Sequence, residues 1–441
     1  MAYIYRTPGS AGSNSVFTLS FWVKRAKLGA IQTLYSAGSS SEGKFVFNAE
    51  DQLEISDGGS DVVKTTRLFR DVGAWYHIVL AYDTGESGTD KVKLYTNGTL
   101  ETAYATDNRS TASPLNYVND TVQQNIGADT SNPFYGEMSH VQMVDGAQLA
   151  PTEFGEVDST SGIWKIKTTA YATPGTNGFY LKMEDRTNLD LDSSSNAFTW
   201  TTSGTLTATY DNPSNNFCTM NPLQNRSLLV YNNGNNTIVG YGDGYGRAGF
   251  GTTAVSAGKW YFEEKVASSV PGNTAIGISN VDGINAQSSL RFNPFGGGTG
   301  YAYGYRHVDG DKRTGGTNTS YGDTYTEDDI ISCAFDLDNN KIYFAKNGVW
   351  QDSGDPTSGA TGTGAISITA ASSTNTGCYR IGVSDEDNSA TGTFHTNFGN
   401  GYFGTTIVSS SESDDAGIGS FEYDVPAGYY ALCTNNLGDQ S

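Results

Sequence analysis

The chain has 441 residues, enough for two or three domains, because a single hydrophobic core seldom grows beyond about 250–300 residues. Its formal net charge is −21, from 47 acidic and 26 basic residues, which disfavours binding to nucleic acid phosphates and to anionic membrane surfaces. No apolar run reaches the roughly 20 residues that span a bilayer, and no basic and apolar leader opens the chain. We therefore expect folding in a cytoplasm, without membrane insertion.

The hydrophobic pattern indicates the fold class. Short runs of alternating apolar and polar residues recur along the chain and are separated by Gly, Asn and Asp. Long windows with apolar residues at helical spacing are hard to find. This pattern is typical of antiparallel strands with one buried face, so we predict an all-β protein of two antiparallel β-sandwich modules in tandem.

The clearest strand of the N-terminal half covers residues 16–24, where Phe17, Leu19, Phe21 and Val23 fall on one face. The dipeptide at residues 97–98, Asn-Gly, predicts a two-residue hairpin turn of type I′. Further short strands are predicted at residues 32–35, 44–47, 52–55, 75–82, 91–95, 125–127 and 137–144.

These segments, in this order, resemble the concanavalin A-like (laminin G-like) jelly roll. The resemblance rests on FTLSFWVK (17–24), WYHIVLAYD (75–83), VKLYTNG (92–98) and GEMSHVQMVDGAQL (136–149), and it covers about residues 16–154. A segment that usually opens the family, GFYLKMEDRTNLDLDSSSNAFTW, here comes late, at residues 178–200. We therefore predict a circularly permuted jelly roll over residues 1–216, whose first strand comes from residues 178–200.

A joint is predicted at residues 217–230, followed by a second sandwich over residues 231–441. Two similar segments, at residues 216–223 and 431–437, are interpreted as elements that each close a completed module.

The second sandwich is indicated most clearly by residues 328–350, which predict two strands joined by an Asn-Asn turn. Ile331, Cys333 and Phe335 share one face of the first strand, and Ile342 and Phe344 share one face of the second. This alternation is what a half-buried antiparallel hairpin requires.

This hairpin and four other segments resemble the SPRY domain, over about residues 226–437. The other segments are GKWYFE (258–263), AIGI (275–278), YAYGY (301–305) with the polar loop 306–316, and FHTNFG (394–399). SPRY domains are β-sandwiches that bind partners through loops at one end and carry no catalytic machinery. The resemblance therefore implies recognition and leaves the ligand unnamed.

The two modules, with the TPGSAG opening and the LCTNNL ending, together resemble virion structural proteins of tailed phages. That resemblance implies a tail fibre or receptor-binding appendage of the virion, made in the bacterial host cytoplasm, which recognises a host surface glycan. Weak sites of this kind work through avidity, so a homo-oligomer is expected, with a trimer as the family-style state. The alternative is a structural head-decoration or appendage subunit that binds other virion proteins.

A polysaccharide hydrolase is the third hypothesis. Glucanase-type jelly rolls place Glu, Asp and Glu at alternate positions of one strand; here Glu156 and Asp158 are followed by Thr160, in what is interpreted as a connecting loop. His77 and His140 lie in predicted strands and are interpreted as packed residues. We therefore expect no enzymatic activity.

Metal and thiol chemistry leave one candidate ion. The four cysteines form no C-x-x-C pair, so zinc is not expected, and Cys333 is interpreted as a small buried hydrophobe. Calcium, the one cofactor considered, is predicted at Asp190 and Asp192 in NLDLDSSSN; the pair Asp309 and Asp311 is a weaker candidate.

The predicted ligand-binding site lies after the Tyr-Gly segment. Arg and Asp side chains can bind sugar hydroxyls through charge-assisted hydrogen bonds, and aromatic faces can pack against sugar rings. The alternative is a merely solvated loop beside ordinary strand tyrosines. The predicted residues are Arg306, His307, Asp309, Asp311, Lys312, Arg313, Tyr321 and Trp350.

Overall fold

The computed structural model describes residues 1–38, 42–224, 229–240, 247–268, 274–280, 301–385 and 392–440. Residues 225–228 of the predicted joint lie outside the described residues. The chain forms two compact units, Met1–Ala208 with Asn212–Ser214 and Thr209–Asp211 with Asn215–Ser441.

The first unit is built from two antiparallel sheets. One has the strand order β10-β6-β5-β4-β3-β11-β1-β16, the other the order β15-β12-β2-β7-β8-β9, and β13 and β14 form a separate hairpin. Its strands are β1 (Tyr3–Arg6), β2 (Val16–Arg25), β3 (Gln32–Ala37), β4 (Lys44–Phe47), β5 (Leu53–Asp57), β6 (Ser60–Thr65), β7 (Trp75–Asp83), β8 (Val92–Thr96), β9 (Thr99–Leu100), β10 (Tyr104–Asp107), β11 (Gln124–Ile126), β12 (Gly136–Asp145), β13 (Gly155–Val157), β14 (Trp164–Ile166), β15 (Phe179–Leu181) and β16 (Thr201–Ser203).

The core of the first unit forms where the sequence pattern placed it. Phe17, Leu19, Phe21 and Val23 are buried on one face of β2 and belong to the unit's main apolar cluster. At residues 97–98 both φ angles are positive, 48° and 76°, which fits the type I′ turn predicted between β8 and β9.

The second unit is also a pair of sheets. One has the order β17-β18-β30-β20-β25-β26-β27, with β28 and β33 pairing beside this path, and the other has the order β19-β29-β21-β22-β23-β24. Its strands are β17 (Val230–Asn232), β18 (Thr237–Val239), β19 (Arg247–Val255), β20 (Lys259–Val266), β21 (Ala275–Ser279), β22 (Ala302–Arg306), β23 (Asp311–Thr314), β24 (Thr317–Ser320), β25 (Ile330–Asp336), β26 (Lys341–Lys346), β27 (Val349–Trp350), β28 (Ile366–Ser367), β29 (Tyr379–Asp385), β30 (Thr393–Asn397), β31 (Tyr402–Phe403), β32 (Thr406–Ile407) and β33 (Tyr430–Ala431).

In the hairpin of β25 and β26, Cys333 is opposite Phe344 and Phe335 is opposite Ile342, so the residues predicted to share faces do so. All four side chains are buried in the unit's main apolar cluster, so Cys333 acts as a small core residue. The all-β prediction is confirmed.

Helical structure is brief in the described residues. One short α-helix, α1 (Thr434–Asp439), follows β33, and no helix in the described ranges is long and apolar enough to cross a membrane. Single 3₁₀ turns lie at Gly88–Lys91, Arg109–Thr111, Pro151–Glu153, Pro222–Gln224, Gln351–Ser353, Pro356–Thr361 and Ala371–Ser373.

The two similar segments predicted to close separate modules instead pair with each other. Phe217 and Cys433 form an antiparallel bridge, and the Cys218 N–H donates to the Leu432 carbonyl at 2.8 Å. Both segments belong to the second unit. The two similar segments therefore lie side by side within this unit.

Candidate functional site

Strands β22, β23 and β24 form a meander at one end of their sheet. The loop predicted at residues 306–316 is wrong in part, because residues 311–314 form strand β23. The turn between β23 and β24 consists of Gly315 and Gly316, whose φ angles of 54° and 84° fit type I′ geometry. We call residues 306–320 the hairpin surface.

The connection from β22 to β23 is held by its own polar groups. Arg306 forms an ion pair with Asp309, and the Asp309 Oδ1 atom accepts a hydrogen bond from the Asp311 N–H at 3.2 Å. The His307 N–H donates to the Thr274 carbonyl at 3.1 Å. These contacts fix the connection in one shape before any ligand arrives.

Lys312 and Arg313 follow on β23, and as neighbours on a strand they leave opposite faces of the sheet. Lys312 pairs with Tyr305 across the strands, and its Nζ atom lies 5.8 Å from the centre of the Tyr321 ring. Arg313 pairs with Gly304, which has no side chain of its own. The two basic residues of β23 therefore lie on opposite faces of the meander.

Tyr321 is part of the core, contrary to its prediction as a surface ligand-binding residue. Only 6% of the residue is exposed, and its hydroxyl accepts a hydrogen bond from the Phe344 N–H at 3.2 Å. Its ring packs edge-on against Tyr305 at 5.7 Å. Burial raises the pKa of Tyr321 far above its ordinary value. Its role is to support the hairpin surface from beneath.

Trp350 also lies elsewhere than predicted. It belongs to β27 in the other sheet of this unit, pairs with Ala345 and packs half-buried on a cluster that contains Tyr343. Its neighbour Gln351 reaches toward the meander instead, because the Gln351 Oε1 atom accepts a hydrogen bond from the Asp323 N–H at 2.8 Å. The six predicted polar residues of 306–313 thus lie on one connection and its following strand, with Tyr321 buried beneath Lys312 and Trp350 in the other sheet.

Sequence reasoning missed strand β24. All four of its residues are exposed, and it is the last strand of its sheet among the residues that the structure describes. The Gly-Gly dipeptide at 315–316 was the signal that could have revealed it, since two glycines between polar strands favour a tight hairpin.

In the first unit, Asp192 is buried and already has partners. Its carboxylate accepts hydrogen bonds from the Tyr180, Ser194 and Phe198 N–H groups, each at 2.9 Å. Asp190 instead accepts from the Thr202 hydroxyl at 3.0 Å. Within the described ranges no group of three or more His, Cys, Asp or Glu side chains could hold a metal ion, and calcium at Asp190 and Asp192 stays a prediction.

Another buried carboxylate of this unit, Asp51, holds a charged cluster. Asp51 accepts from the Arg25 and Arg70 guanidinium groups and from the Gly29 N–H, at 2.9–3.0 Å. Burial alone would raise the pKa of Asp51, but these donors lower it below its ordinary value. The Arg25 guanidinium also lies over the Phe47 ring, at 4.4 Å.

The histidines of the first unit are packed side chains. His77 is fully buried and stacks between Trp22 and Trp164, with centroid distances of 4.7 and 5.8 Å, and its Nδ1 atom accepts the Trp164 indole N–H at 2.9 Å. Burial lowers the pKa of His77 to about 3.

The stretch that contains Glu156 and Asp158, interpreted as a loop, includes strand β13. Both carboxylates are within 3.4 Å of the Lys165 ammonium.

Two adjacent glutamates of β20 are buried in the second unit in different ways. Glu263 accepts hydrogen bonds from the Tyr261 hydroxyl, the Asn397 amide and two backbone N–H groups, at 2.9–3.2 Å. Neither Glu264 oxygen has a well-oriented partner among the described residues. Burial raises the pKa of Glu264 to about 8, although the Thr396 hydroxyl on the paired strand β30 opposes the shift.

Two family models match the chain. The model described as the concanavalin A-like lectin/glucanases superfamily matches residues 2–152, and the SPRY domain model matches residues 259–382. The chain therefore contains a concanavalin A-like, laminin G-like segment followed by a SPRY segment.

The chain is similar over 95 residues to animal proteins. It is 36% identical to the Ran-binding proteins 9/10 homolog of Drosophila melanogaster and to Ran-binding protein 9 of Homo sapiens, in each case over 21% of this chain. The matched part spans only 9% and 12% of those relatives' own lengths.

Among solved structures, the SPRY domain of human HERC1 is 17% identical and aligns over 40% of this chain and 96% of that one, with a TM-score of 0.28. A TM-score of that size supports no inference about function.

These findings overturn the phage interpretation. Neither family model nor any of these relatives indicates a virion protein, and the Ran-binding relatives are eukaryotic. The predicted function as a virion appendage and the predicted location in a virion are therefore wrong. The error arose because the concanavalin A-like and SPRY-like segments were interpreted as parts of one kind of protein in which both occur.

Proposed function

We propose that the chain is a non-catalytic protein-binding protein whose second unit holds its partner at the hairpin surface. The observation that carries the proposal is the charge of this surface. Three basic residues, Arg306, Lys312 and Arg313, stand there against two carboxylates, Asp309 and Asp311, although the whole chain has a net charge of −21. A surface with a net positive charge on an acidic protein attracts acidic segments of a partner.

The rigidity of this surface supports the same role. The Gly322 N–H donates to the Gly310 carbonyl at 2.9 Å, which closes the base of the hairpin. The Tyr325 hydroxyl donates to the Tyr305 carbonyl at 2.8 Å beneath it. A surface fixed in advance loses little conformational entropy when a partner binds, so more of the contact energy appears as affinity.

The matches support a binding role in general terms. SPRY domains are binding modules, and the relatives are named for binding Ran. Because the chain covers a small part of those relatives, Ran is a first defined probe and no more than that. Glu156, which is exposed, and Asp158, which is half-buried, both pair with Lys165, and this arrangement gives no support to a catalytic role.

The test is a selection for partners with the full-length chain. The immobilised chain is offered a displayed library of random peptides and, separately, purified Ran, and binding is compared with that of two variants. The double variant Lys312→Glu and Arg313→Glu reverses the charge of the hairpin surface. Lys341→Glu makes a single charge reversal of this kind on β26, in the other sheet of the unit.

Binders that lose at least tenfold in affinity for the double variant and keep it for Lys341→Glu would support the proposal. If the correctly folded chain enriches no peptide and does not bind Ran, or if both variants weaken binding equally, the hairpin surface is not the binding site.

A further inference from the structure

The backbone of β24 presents unpaired groups along one edge. In a type I′ hairpin the residues that flank the turn, Thr314 and Thr317, form a hydrogen-bonded pair, and such pairs alternate along the strands with pairs that are not hydrogen-bonded. The N–H groups of Asn318 and Ser320 therefore point away from β23. No described residue lies beyond them as a paired strand.

Among the residues that the structure describes, this edge lacks charge, proline, bulge and covering strand as protection against strand pairing. Natural sheets shield their edges with Lys, Pro, bulges, a covering segment or short edge strands, and β24 has four residues. Strand β24 reads TNTS, without a charge or a proline, and its pairing with β23 runs in continuous register over four residues. In the first unit, by contrast, edge strand β10 has a register shift and ends at the ion pair of Asp107 with Arg109.

The charges beside the edge indicate what would pair with it. Lys312 is opposite Thr319, and Arg313 is opposite Asn318. An added strand would run two strand spacings, roughly 10 Å, from β23. The side chains of Thr319 and Asn318 are short, so glutamates at alternate positions of the added strand could meet Lys312 on one face of the sheet or Arg313 on the other.

We propose that β24 accepts an extended acidic segment of a partner protein as an added β-strand. This inference rests on the proposed function and specifies the partner: backbone pairing supplies the affinity, and alternate acidic side chains supply the specificity.

The probe is a synthetic peptide of alternating glutamate and threonine, offered to the full-length chain. A lysine–threonine peptide and a version with a central proline serve as controls. Asn318→Pro removes an outward N–H without removing one that β23 uses, whereas Asn318→Ala keeps it. We expect the acidic peptide to bind, Asn318→Pro to weaken binding at least tenfold, and Asn318→Ala to change it less than threefold.

Amide hydrogen exchange of the wild-type chain provides a readout that does not depend on the folding of a variant. The peptide should slow exchange at Asn318 and Ser320 more than at Thr317 and Thr319, whose N–H groups already face β23. Equal binding by Asn318→Pro and Asn318→Ala, or a chain that pairs through β24 with a second copy of itself, would overturn the inference. If peptides from the library lose affinity for the charge-reversal variant but not for Asn318→Pro, strand addition is refuted and the proposed function is retained.

Discussion

In the first unit, Asp51, Asp129, Asp145 and Asp192 are buried, and each accepts hydrogen bonds from N–H groups of the unit's own loops. In the second unit, Lys312 and Arg313 are half-buried, and the four residues of edge strand β24 are exposed. In a carboxylate whose lone pairs are used by backbone donors, little capacity remains for a ligand. From this comparison we infer that the buried carboxylates serve the fold of the first unit, whereas binding is better sought at the exposed strand edge of the second.

The largest expected effect is at Glu264, a buried carboxyl that has no well-oriented partner among the described residues. Its pKa in the folded state, about 8, exceeds the ordinary 4.5, so its contribution to stability is fully present below pH 4.5 and is lost as pH rises through 8. Glu264→Gln should remove this loss and stabilise the second unit by about 4–5 kcal/mol at pH 9 relative to wild type. Urea unfolding from pH 4 to pH 9 measures it.

Glu263→Gln is the comparison on the same strand, because burial raises the pKa of Glu263 to about 7, less than that of Glu264, while four donors favour its charged form. This variant should gain clearly less stability than Glu264→Gln at pH 9, because it removes a smaller pH-dependent loss and leaves donors that an amide cannot satisfy equally well. Parallel curves for wild type and Glu264→Gln would show that Glu264 is not protonated in the folded protein.

The next largest effect concerns the buried ion pair of Arg25 and Asp51 in the first unit. Asp51→Ala leaves the Arg25 guanidinium buried without its carboxylate, so we expect a loss of about 3–5 kcal/mol in the unfolding free energy of this unit. Arg70→Ala, which removes a half-exposed partner of the same carboxylate, should cost less than about 1 kcal/mol. Denaturant unfolding compares the two, and equal losses would contradict a structural role confined to Arg25 and Asp51.

The third prediction concerns Lys312, a half-buried basic residue of β23. Lys312→Ala should reduce affinity for a selected acidic partner by about tenfold at low salt, equivalent to about 1.4 kcal/mol, with a smaller loss at high salt because ions weaken the attraction between the charges. Titration at two salt concentrations measures this. A loss of affinity independent of salt would indicate that Lys312 acts through its packing on Tyr321.

The smallest effect is at the hairpin turn. Gly315 has a φ of 54° and open space where a Cβ would be, so Gly315→Ala should cost about 1 kcal/mol through backbone conformation alone. Gly315→Asn should cost less, since Asn tolerates this conformation. Faster amide exchange in β23 and β24 of Gly315→Ala would record the loss; identical exchange in the two variants would contradict it.

The main strands of both units were predicted well from the sequence, because alternation such as that of Phe17, Leu19 and Phe21 depends only on one buried face. Prediction failed where contacts between residues far apart in the sequence decide the environment of a side chain. Tyr321 reads like an exposed loop residue until the Phe344 N–H is found against its hydroxyl, and Trp350 is near residues 306–320 in sequence but lies in the other sheet. The similar segments near Cys218 and Cys433 likewise showed their relation only as neighbours in space.

The most direct test of the central claim is the exchange footprint of a selected partner on the full-length chain. Amide hydrogen exchange with and without the bound partner would show which residues the partner covers. The account predicts slowed exchange within residues 306–320 and unchanged exchange in residues 2–152. Protection confined to residues 2–152 would place recognition in the first unit and contradict the proposed function.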